Sequence, residues 1–455
     1  MRVEGYTFLP GRNIYCCSPV LRLTLDLGKW AEKTTRDFPH LEEKLFALLP
    51  GLGEHHCSLN YPGGFRTRVR EGTFLGHVLE HMILELQAQA GTPVVYGRTR
   101  EMGRSGVYEI VVECPQEGVG RKAAHLAVEV LMSLLTGGQP LDLEEALARL
   151  RCLRAREGLG PSTAALVAAA RKRGIPVQRL DERSLLQLGY GKYQQRILAT
   201  ITAQTGCIGV DIAGDKTLTK RILAQAGIPV PPGQIVEDEE EALAAAVDLG
   251  YPVVVKPDNG NQGKGVNLNL TREEDIREAC ALARRYSPGL LLEKQIPGRH
   301  YRVLVVGDRV VAAAERIPAR VVGDGVHTVA QLVELTNGDP RRGRGHEKCL
   351  TKIKIDRVVE AVLKRQGIGL DYIPPVGTEV LLRENANLST GGTAVDVTAE
   401  IHPDNAFLAV RAAQAVGLDV AGVDMVTADI ARPLLGTGAI IEVNAAPGLR
   451  MHLYP

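Results

Sequence analysis

Ala439-Ile440-Ile441-Glu442-Val443-Asn444 is the stretch on which the reading of the fold turns. Its apolar residues argue for a buried strand, and side chains alternate along a strand, so Glu442 and Asn444 leave one face together. An unpaired carboxylate among such neighbours is costly, which disfavours a merely solvated strand face. A second apolar stretch, Val420 to Val426, carries Asp424 in its middle. Asp424, Glu442 and Asn444 thus offer two carboxylates and an amide oxygen. Those are donors of the type magnesium takes, since it keeps several waters and needs only one or two carboxylates besides substrate phosphates.

Working outward, Val253-Val254-Val255 reads as a buried strand that Lys256 closes, which holds an ammonium at the strand's end as a point charge for phosphate. Asp215 to Lys220, DKTLTK, supplies further lysines, and the sequence leaves open whether Lys216 or Lys220 meets phosphate. In Gly260 to Gly265 the glycines let backbone amides fold closely over an anion, with Gly263, Lys264 and Gly265 as the contacts. Such a loop is weak evidence alone, because glycine-rich turns are common. Order gives it weight.

In sequence order, DKTLTK (215–220), GIPVP (227–231), VVVKP (253–257), GNQGKGV (260–266), LLEKQIPGRHYRV (291–303) and IIEVNAAPG (440–448) resemble the ATP-grasp ligases. The resemblance implies an α/β protein whose later part is a glutathione-synthetase-like ATP-grasp fold of several subdomains, using ATP and Mg²⁺. It implies a hinge after Leu290 to Glu293 whose backbone pairs with the adenine edge, Glu293 near adenine, His300 near ribose and Arg302 at phosphate. With LLRENANLSTGGTAVDVT (381–398), GDGVHTVAQLVELTNGD (323–339) and LGPST (159–163), the resemblance narrows to the cyanophycin synthetase family. It covers the whole chain, including YPGGF (61–65), VREGT (69–73), GRTRE (97–101) and GVYEIVVE (106–113).

In that family an ATP-grasp domain adds aspartate to the carboxyl end of a poly-aspartate backbone, and a Mur-ligase-like domain joins arginine to the side chains. Carried over, this implies L-aspartate and a poly-aspartate (cyanophycin) primer as partners and a homotetramer as the assembly. Ser389, Thr390, Gly391 and Gly392 would cradle the acceptor, and Arg383 and Arg450, with Gly448, would stabilise the tetrahedral oxyanion. No G-x-x-x-x-G-K-[ST] occurs before Pro455. Arginine addition is therefore not expected from these residues.

The earlier part of the chain has chemistry of its own. His77-Val78-Leu79-Glu80-His81 puts three polar groups at i, i+3 and i+4 of an otherwise apolar helix, in the H-x-x-E-H order of inverzincin peptidases. By that likeness His77 and His81 bind zinc, Glu80 activates its water, and Glu144 or Glu145 is the third ligand. The competing reading is a metal-free domain that grips the acceptor.

Composition excludes more than it proposes. The 455 residues are 45% hydrophobic with a net charge of +1, enough for two to four domains and no support for a broad basic nucleic-acid surface. Aromatics at 4% also disfavour base stacking. No apolar run of spanning or signal length exists, and eight cysteines lack a C-x-x-C pair, so no membrane contact and a reducing cytoplasm are expected. Arg66, Arg68, Arg70, Arg341, Arg342 and Arg344 are candidates for meeting an acidic acceptor.

A boundary is expected near LGPST, giving a primer-binding, metallopeptidase-like N-terminal α/β domain over 1–160 and an ATP-grasp ligase over 161–455. Ala164 to Arg173 reads as a helix and Val177 to Leu180 as a strand. Three readings stand: an aspartate-adding ligase with a primer-handling domain, a peptidase with a remnant ATP-grasp half, and a non-catalytic acceptor-binding module. The full run from Lys216 to Asn444 favours the first.

Overall fold

Alternation builds the first sheet: Leu21, Leu23 and Leu25 of strand Val20–Asp26 and Tyr108, Ile110 and Val112 of strand Val107–Glu113 are all buried on one side. The structure is a computed structural model describing residues 1–138, 141–258, 265–345 and 348–454. Its antiparallel strands run in the order Arg2–Leu9, Val20–Asp26, Val107–Glu113, Gly97–Glu101. Helices Leu75–Gln89 and Glu117–Thr136 share the core with the sheet's inner face. Of the first helix, twelve residues are buried, including the polar Glu80, His81, Glu85 and Gln87. It is a central helix rather than a surface one.

The chain divides into two compact units, one of Met1–Leu159 with Ala169–Gln194, the other of Gly160–Ala168 with Gln195–Pro455. The helix foreseen over 164–173 runs Pro161–Lys172, with proline at its first position, where a missing amide costs nothing. The following strand is Val177–Arg179.

Two antiparallel sheets organise the second unit. One has the order Asn267–Leu270, Val253–Pro257, Leu290–Lys294, Gly233–Val236. Val253, Val255, Leu290 and Leu292 bury one of its faces against helices Glu239–Leu249 and Glu273–Ala283. Alternation then commits Val254, Lys256, Leu291 and Glu293 to the other face. The second sheet runs Thr393–Asp396, Arg309–Ile317, Arg299–Val306, Val420–Thr427, Ala439–Asn444. Its inner face, with Tyr301, Val303, Ala313, Val423, Met425 and Val443, packs with helix Pro403–Val416. A small lobe follows it, with strands Arg320–Val322 and Glu379–Leu381, helices Val329–Asn337 and Arg357–Arg365, and a core of Val329, Val333, Val359 and Leu363. Among the described residues no helix is long and apolar enough to cross a membrane.

Candidate functional site

Asp215 starts the site by capping a helix. Its carboxylate accepts from the Leu218 amide at 2.9 Å, which fixes the start of helix Lys216–Gln225. Lys216 and Lys220, four residues apart, then lie on one helix face. Lys220 reaches Glu293, and Lys256 reaches the same carboxylate at 2.8 Å. Two lysines thus crowd one buried acid, with Lys216 near enough to act on both. Burial pushes the Lys220 ammonium down to about 5, helped by Lys256 and Lys216 and opposed by Glu442. Lys256 is pushed to about 8, first by burial and then by Lys216, with Glu442 again opposing. The cluster holds its lysine protons weakly, and a phosphate chain would favour the ammonium forms.

Glu293 therefore faces the lysines rather than an adenine edge. The hinge amides are also occupied: Lys294 donates to the Pro232 carbonyl at 2.8 Å and Gln295 to that of Pro252 at 3.1 Å. The adenine-facing Glu293 is corrected by that register, and an adenine pairing at the hinge falls to backbone groups other than these two amides. Gly263 and Lys264 lie outside the described residues, while Gly265 is described and has φ +72°.

Strand pairing assembles the second half of the site. Arg302 sits opposite Asp424, Asp424 opposite Glu442, Gly422 opposite Asn444, and His300 opposite Arg316. Directly paired residues share a face, so Arg302, Arg316, His300, Asp424, Glu442 and Asn444 project from the face opposite the apolar core. Arg302 forks onto both Asp424 oxygens, its Nη2 at 3.1 Å, and Arg316 adds a contact at 3.1 Å. Burial would raise the Asp424 carboxyl, but the two guanidiniums outweigh it and hold the pKa below its ordinary value. Asn444 donates its amide nitrogen to the Gly422 carbonyl at 3.2 Å, leaving its oxygen available as a ligand. Burial, then Arg316, lower the His300 pKa.

Magnesium fits this donor set. Among the described residues Glu442 forms no ion pair and the Asn444 oxygen is available, and guanidiniums use three of the roughly four lone-pair sites of Asp424.

The residues expected to cradle an acceptor lie beside this face. Ser389 and Thr390 form a 3₁₀ turn in which Asn387 caps the Ser389 amide at 3.0 Å. Gly391 has φ +101°, and a Cβ there would lie 2.6 Å from Ile353 Cγ1; one on Gly392 would meet the Ile317 carbonyl at 2.6 Å. Arg316 also donates to the Ala386 carbonyl at 2.7 Å, tying this loop to the charged face. Arg383 and Arg450 are engaged elsewhere, Arg383 on Asp356 at 2.6 Å and Arg450 on the Lys348 carbonyl at 3.0 Å. Neither forms a hydrogen bond or ion pair with Asp424 or Glu442. Sequence reasoning missed Arg316 and His452. Only register places Arg316 opposite His300, and burial near Arg302 pushes His452 down to about 4.

In the first unit, His77 and His81 are joined by residues that no spacing announced. Ligand atoms of Cys57, His77 and His81 lie within 4.8 Å of one another. Cys57 Sγ is 3.2 Å from His77 Nε2, His55 Nδ1 is 2.9 Å from His81 Nδ1, and Glu85 is 3.2 Å from His55 Nε2. Burial drives the His81 pKa down to about 2, so its ring is neutral, as metal ligation requires. Glu80 packs against strand Gly97–Glu101, where a Cβ on Gly97 would lie 2.5 Å from its Oε1, and burial raises its pKa. Glu144 and Glu145 are not the third ligand. Both are exposed and paired with arginines of their own helix, Arg151 at 2.7 Å and Arg149 at 2.6 Å. Of the arginine candidates, Arg66 and Arg70 bind Glu42, Arg68 donates to Ser58 and Arg341 binds Asp339, while Arg342 is buried against backbone carbonyls.

Comparison with known proteins agrees with this construction. Residues 22–136 match the family described as the cyanophycin synthase-like N-terminal domain, 215–346 the ATP-binding domain of the carbamoyl-phosphate synthase L chain, and 377–453 the RimK-like ATP-grasp domain. The cyanophycin synthetase of Nostoc sp. strain PCC 7120 is 48% identical over 463 residues, covering 100% of this chain and 51% of that protein. The cyanophycin synthetase of Synechocystis sp. strain PCC 6803 is 47% identical over 439 residues, 95% of this chain and 50% of that one. A solved bifunctional glutathione synthetase from Pasteurella multocida matches with a TM-score of 0.51 at 33% identity, over 73% of this chain and 47% of that one. Fold and site together define an ATP-grasp protein of the α/β class. The chain carries the N-terminal and ATP-grasp parts of the cyanophycin synthetase family, and it spans about half the length of the curated relatives it matches.

Proposed function

We propose that the second unit is an ATP-dependent carboxylate–amine ligase that adds L-aspartate to the carboxyl end of a poly-aspartate (cyanophycin) primer. One observation carries this reading: Glu442, Asn444 and Asp424 share an open sheet face, and the same Glu442 acts electrostatically on Lys220 and Lys256. Metal donors and phosphate cations then form one site. Mg²⁺ held by Glu442, Asn444 and the remaining lone pair of Asp424 would neutralise phosphate charge.

The residues divide the work. Lys216, Lys220 and Lys256 bind the phosphates of ATP, with Gly263, Lys264 and Gly265 as the covering loop and His300 at the ribose. The γ-phosphoryl group passes to the terminal α-carboxylate of the acceptor, giving ADP and an acyl phosphate. The amine of aspartate attacks the acyl carbon, phosphate leaves, and the nitrogen loses its proton. Arg302 and Arg316, oriented by Asp424, face the developing oxyanion in place of Arg383 and Arg450. Ser389, Thr390, Gly391 and Gly392 cradle the acceptor.

Residues 1–160 serve as the primer-binding domain in this reading. A second reading adds hydrolysis there, and the Cys57, His77 and His81 cluster is what favours it. Zinc on those three would supply Lewis-acid activation of water, and Glu80, its carboxyl raised by burial, would take the proton. A homotetramer and a cytoplasmic location complete the proposal. All eight cysteines are free thiols, in keeping with that location.

The decisive assay measures phosphate release by purified protein with ATP, Mg²⁺, aspartate and a short acceptor, together and with each omitted. Release should need all four. Equal release without aspartate would replace the ligase by an ATPase, and cleavage of an aspartate-arginine polymer without ATP would establish the hydrolase.

A further inference from the structure

A row of paired residues crosses the charged face of the second sheet. Arg302 sits opposite Ala314, and Ala314 opposite Asp396, so the three leave the same side of adjoining strands. Ala394, opposite Arg316, lies on that side too. The two alanines leave room above the row, and the last helix, Arg450–Leu453, fills it: Met451 forms a small buried core with Ala314, Ala394 and Leu388. Leu388 directly precedes Ser389 and Thr390 of the acceptor turn. His452 is the next residue of that helix, and its ring lies within electrostatic reach of Arg302 at one end of the row and Asp396 at the other. The imidazole therefore stands between the acceptor turn and a guanidinium that faces the developing oxyanion.

The helix that carries it is pinned. Ser162 accepts from the Leu449 amide at 2.9 Å, and Arg450 donates to the Lys348 carbonyl at 3.0 Å. The remaining cations nearby are turned to other partners, Arg450 to that carbonyl and Arg316 to Asp424 and the Ala386 carbonyl. His452 Nε2 is enclosed, and it bonds to nothing among the described residues. Burial first and Arg302 second push the ring's pKa down to about 4 against the pull of Asp396, so at pH 7 the ring is neutral and one of its nitrogens keeps a lone pair. A neutral imidazole held beside the oxyanion's guanidinium is placed to accept a proton during the reaction.

We propose that His452 is the general base of the amide-forming step, taking the proton from aspartate's nitrogen as that nitrogen bonds to the acyl carbon. The inference rests on the ligase reading above. One proton of the aspartate ammonium goes to solvent first, which frees the lone pair. That pair forms the C–N bond, and the electrons of the acyl C–O bond leave with phosphate. The second proton passes to His452, and the imidazolium then gives it to the released phosphate and is neutral again. A nitrogen bonded to a tetrahedral carbon is a much stronger acid than a free ammonium, so a weakly basic imidazole is sufficient. Arg302 has two effects here: it stabilises the oxyanion, and its charge keeps His452 unprotonated until the amine attacks.

The test sets two nucleophiles against one acyl phosphate, using the full chain with ATP, Mg²⁺ and a short acceptor. Hydroxylamine captures acyl phosphates as hydroxamates, and because its conjugate acid is strong it sheds its proton to water without a base. His452→Gln should lower aspartate ligation about a hundredfold while hydroxamate formation falls by less than about threefold and KM for ATP is unchanged. His452→Ala should lose ligation likewise and regain about tenfold on addition of imidazole, which returns a base to the vacated space. Equal loss of both products in a glutamine variant that melts like the wild type overturns the assignment, as does undiminished ligation. Should glutamine unfold the helix, the alanine variant decides, and no regain with imidazole overturns the assignment. Wild-type protein that makes neither hydroxamate nor peptide would break the ligase reading itself.

Discussion

The two units stabilise their buried polar clusters by opposite means. In the second, charge opposes charge: Asp424 is clamped by Arg302 and Arg316, Glu293 is shared by Lys220 and Lys256, and Glu442 has no ion pair among the described residues. In the first, imidazoles and a thiol bond to one another: His55 to His81 and Cys57 to His77, with Glu85 closing the end at His55. An excess of buried charge is a standing demand for an ionic ligand. A network of imidazoles and a thiol suits a ligand that prefers nitrogen and sulfur.

If that contrast is right, Glu442 and Asp424 fail differently. Glu442→Gln should lower ligation by about a thousandfold or more, because it removes the charge that metal and phosphates require, while the thermal melt stays unchanged. Near wild-type turnover would place the metal elsewhere. Asp424→Asn should cost stability as well as activity, about 3–5 kcal/mol, since two buried guanidiniums lose their counter-charge. A urea midpoint like that of the wild type would show the clamp to be dispensable.

A smaller effect probes the lysines. Burial and the neighbouring Lys256 and Lys216 hold the Lys220 pKa down before nucleotide binds, and phosphates favour its ammonium form. ATP binding should then take up a proton, and affinity should rise as pH falls from about 8 toward 5, by up to about tenfold per unit. Calorimetry in two buffers of different ionisation heat measures the uptake directly. Lys220→Met should abolish the buffer dependence, and its persistence would assign the proton to another group.

The contrast also explains what the sequence could reveal. The ATP-grasp unit was legible because its polar residues punctuate apolar strands: Lys256 after Val253–Val255, Asp424 within Val420–Val426, Glu442 and Asn444 alternating with Ile441 and Val443. Alternation assigns each to a face without knowing its partner strand. Arg316 was hidden because its role depends on register with His300, and Glu293 was misplaced because its partners come from a separate helix and strand. In the first unit the helix could be read from His77-Val78-Leu79-Glu80-His81, but His55 and Cys57 stand outside it. They reach it only through the turns that precede helix Gly64–Glu71. Motif spacing pointed to a distant glutamate, and packing supplied a thiol.

The smallest expected effect sharpens that last point. Glu144→Ala/Glu145→Ala should leave zinc content unchanged and stability within about 0.5 kcal/mol, because both carboxylates are exposed and their pairs with Arg151 and Arg149 are surface ion pairs. Cys57→Ala should by contrast lower bound zinc well below one per chain, since Sγ would be the third ligand atom beside His77 and His81. Plasma emission spectroscopy on protein loaded with zinc and desalted measures both variants against wild type. Retention of zinc by Cys57→Ala together with its loss in the glutamate variant would return the third ligand to helix Leu143–Glu157. Absence of zinc from all three would leave the His55, Cys57, His77, His81 network as a structural brace for the central helix. Glu80→Gln would then leave activity on aspartate-arginine polymer unaffected.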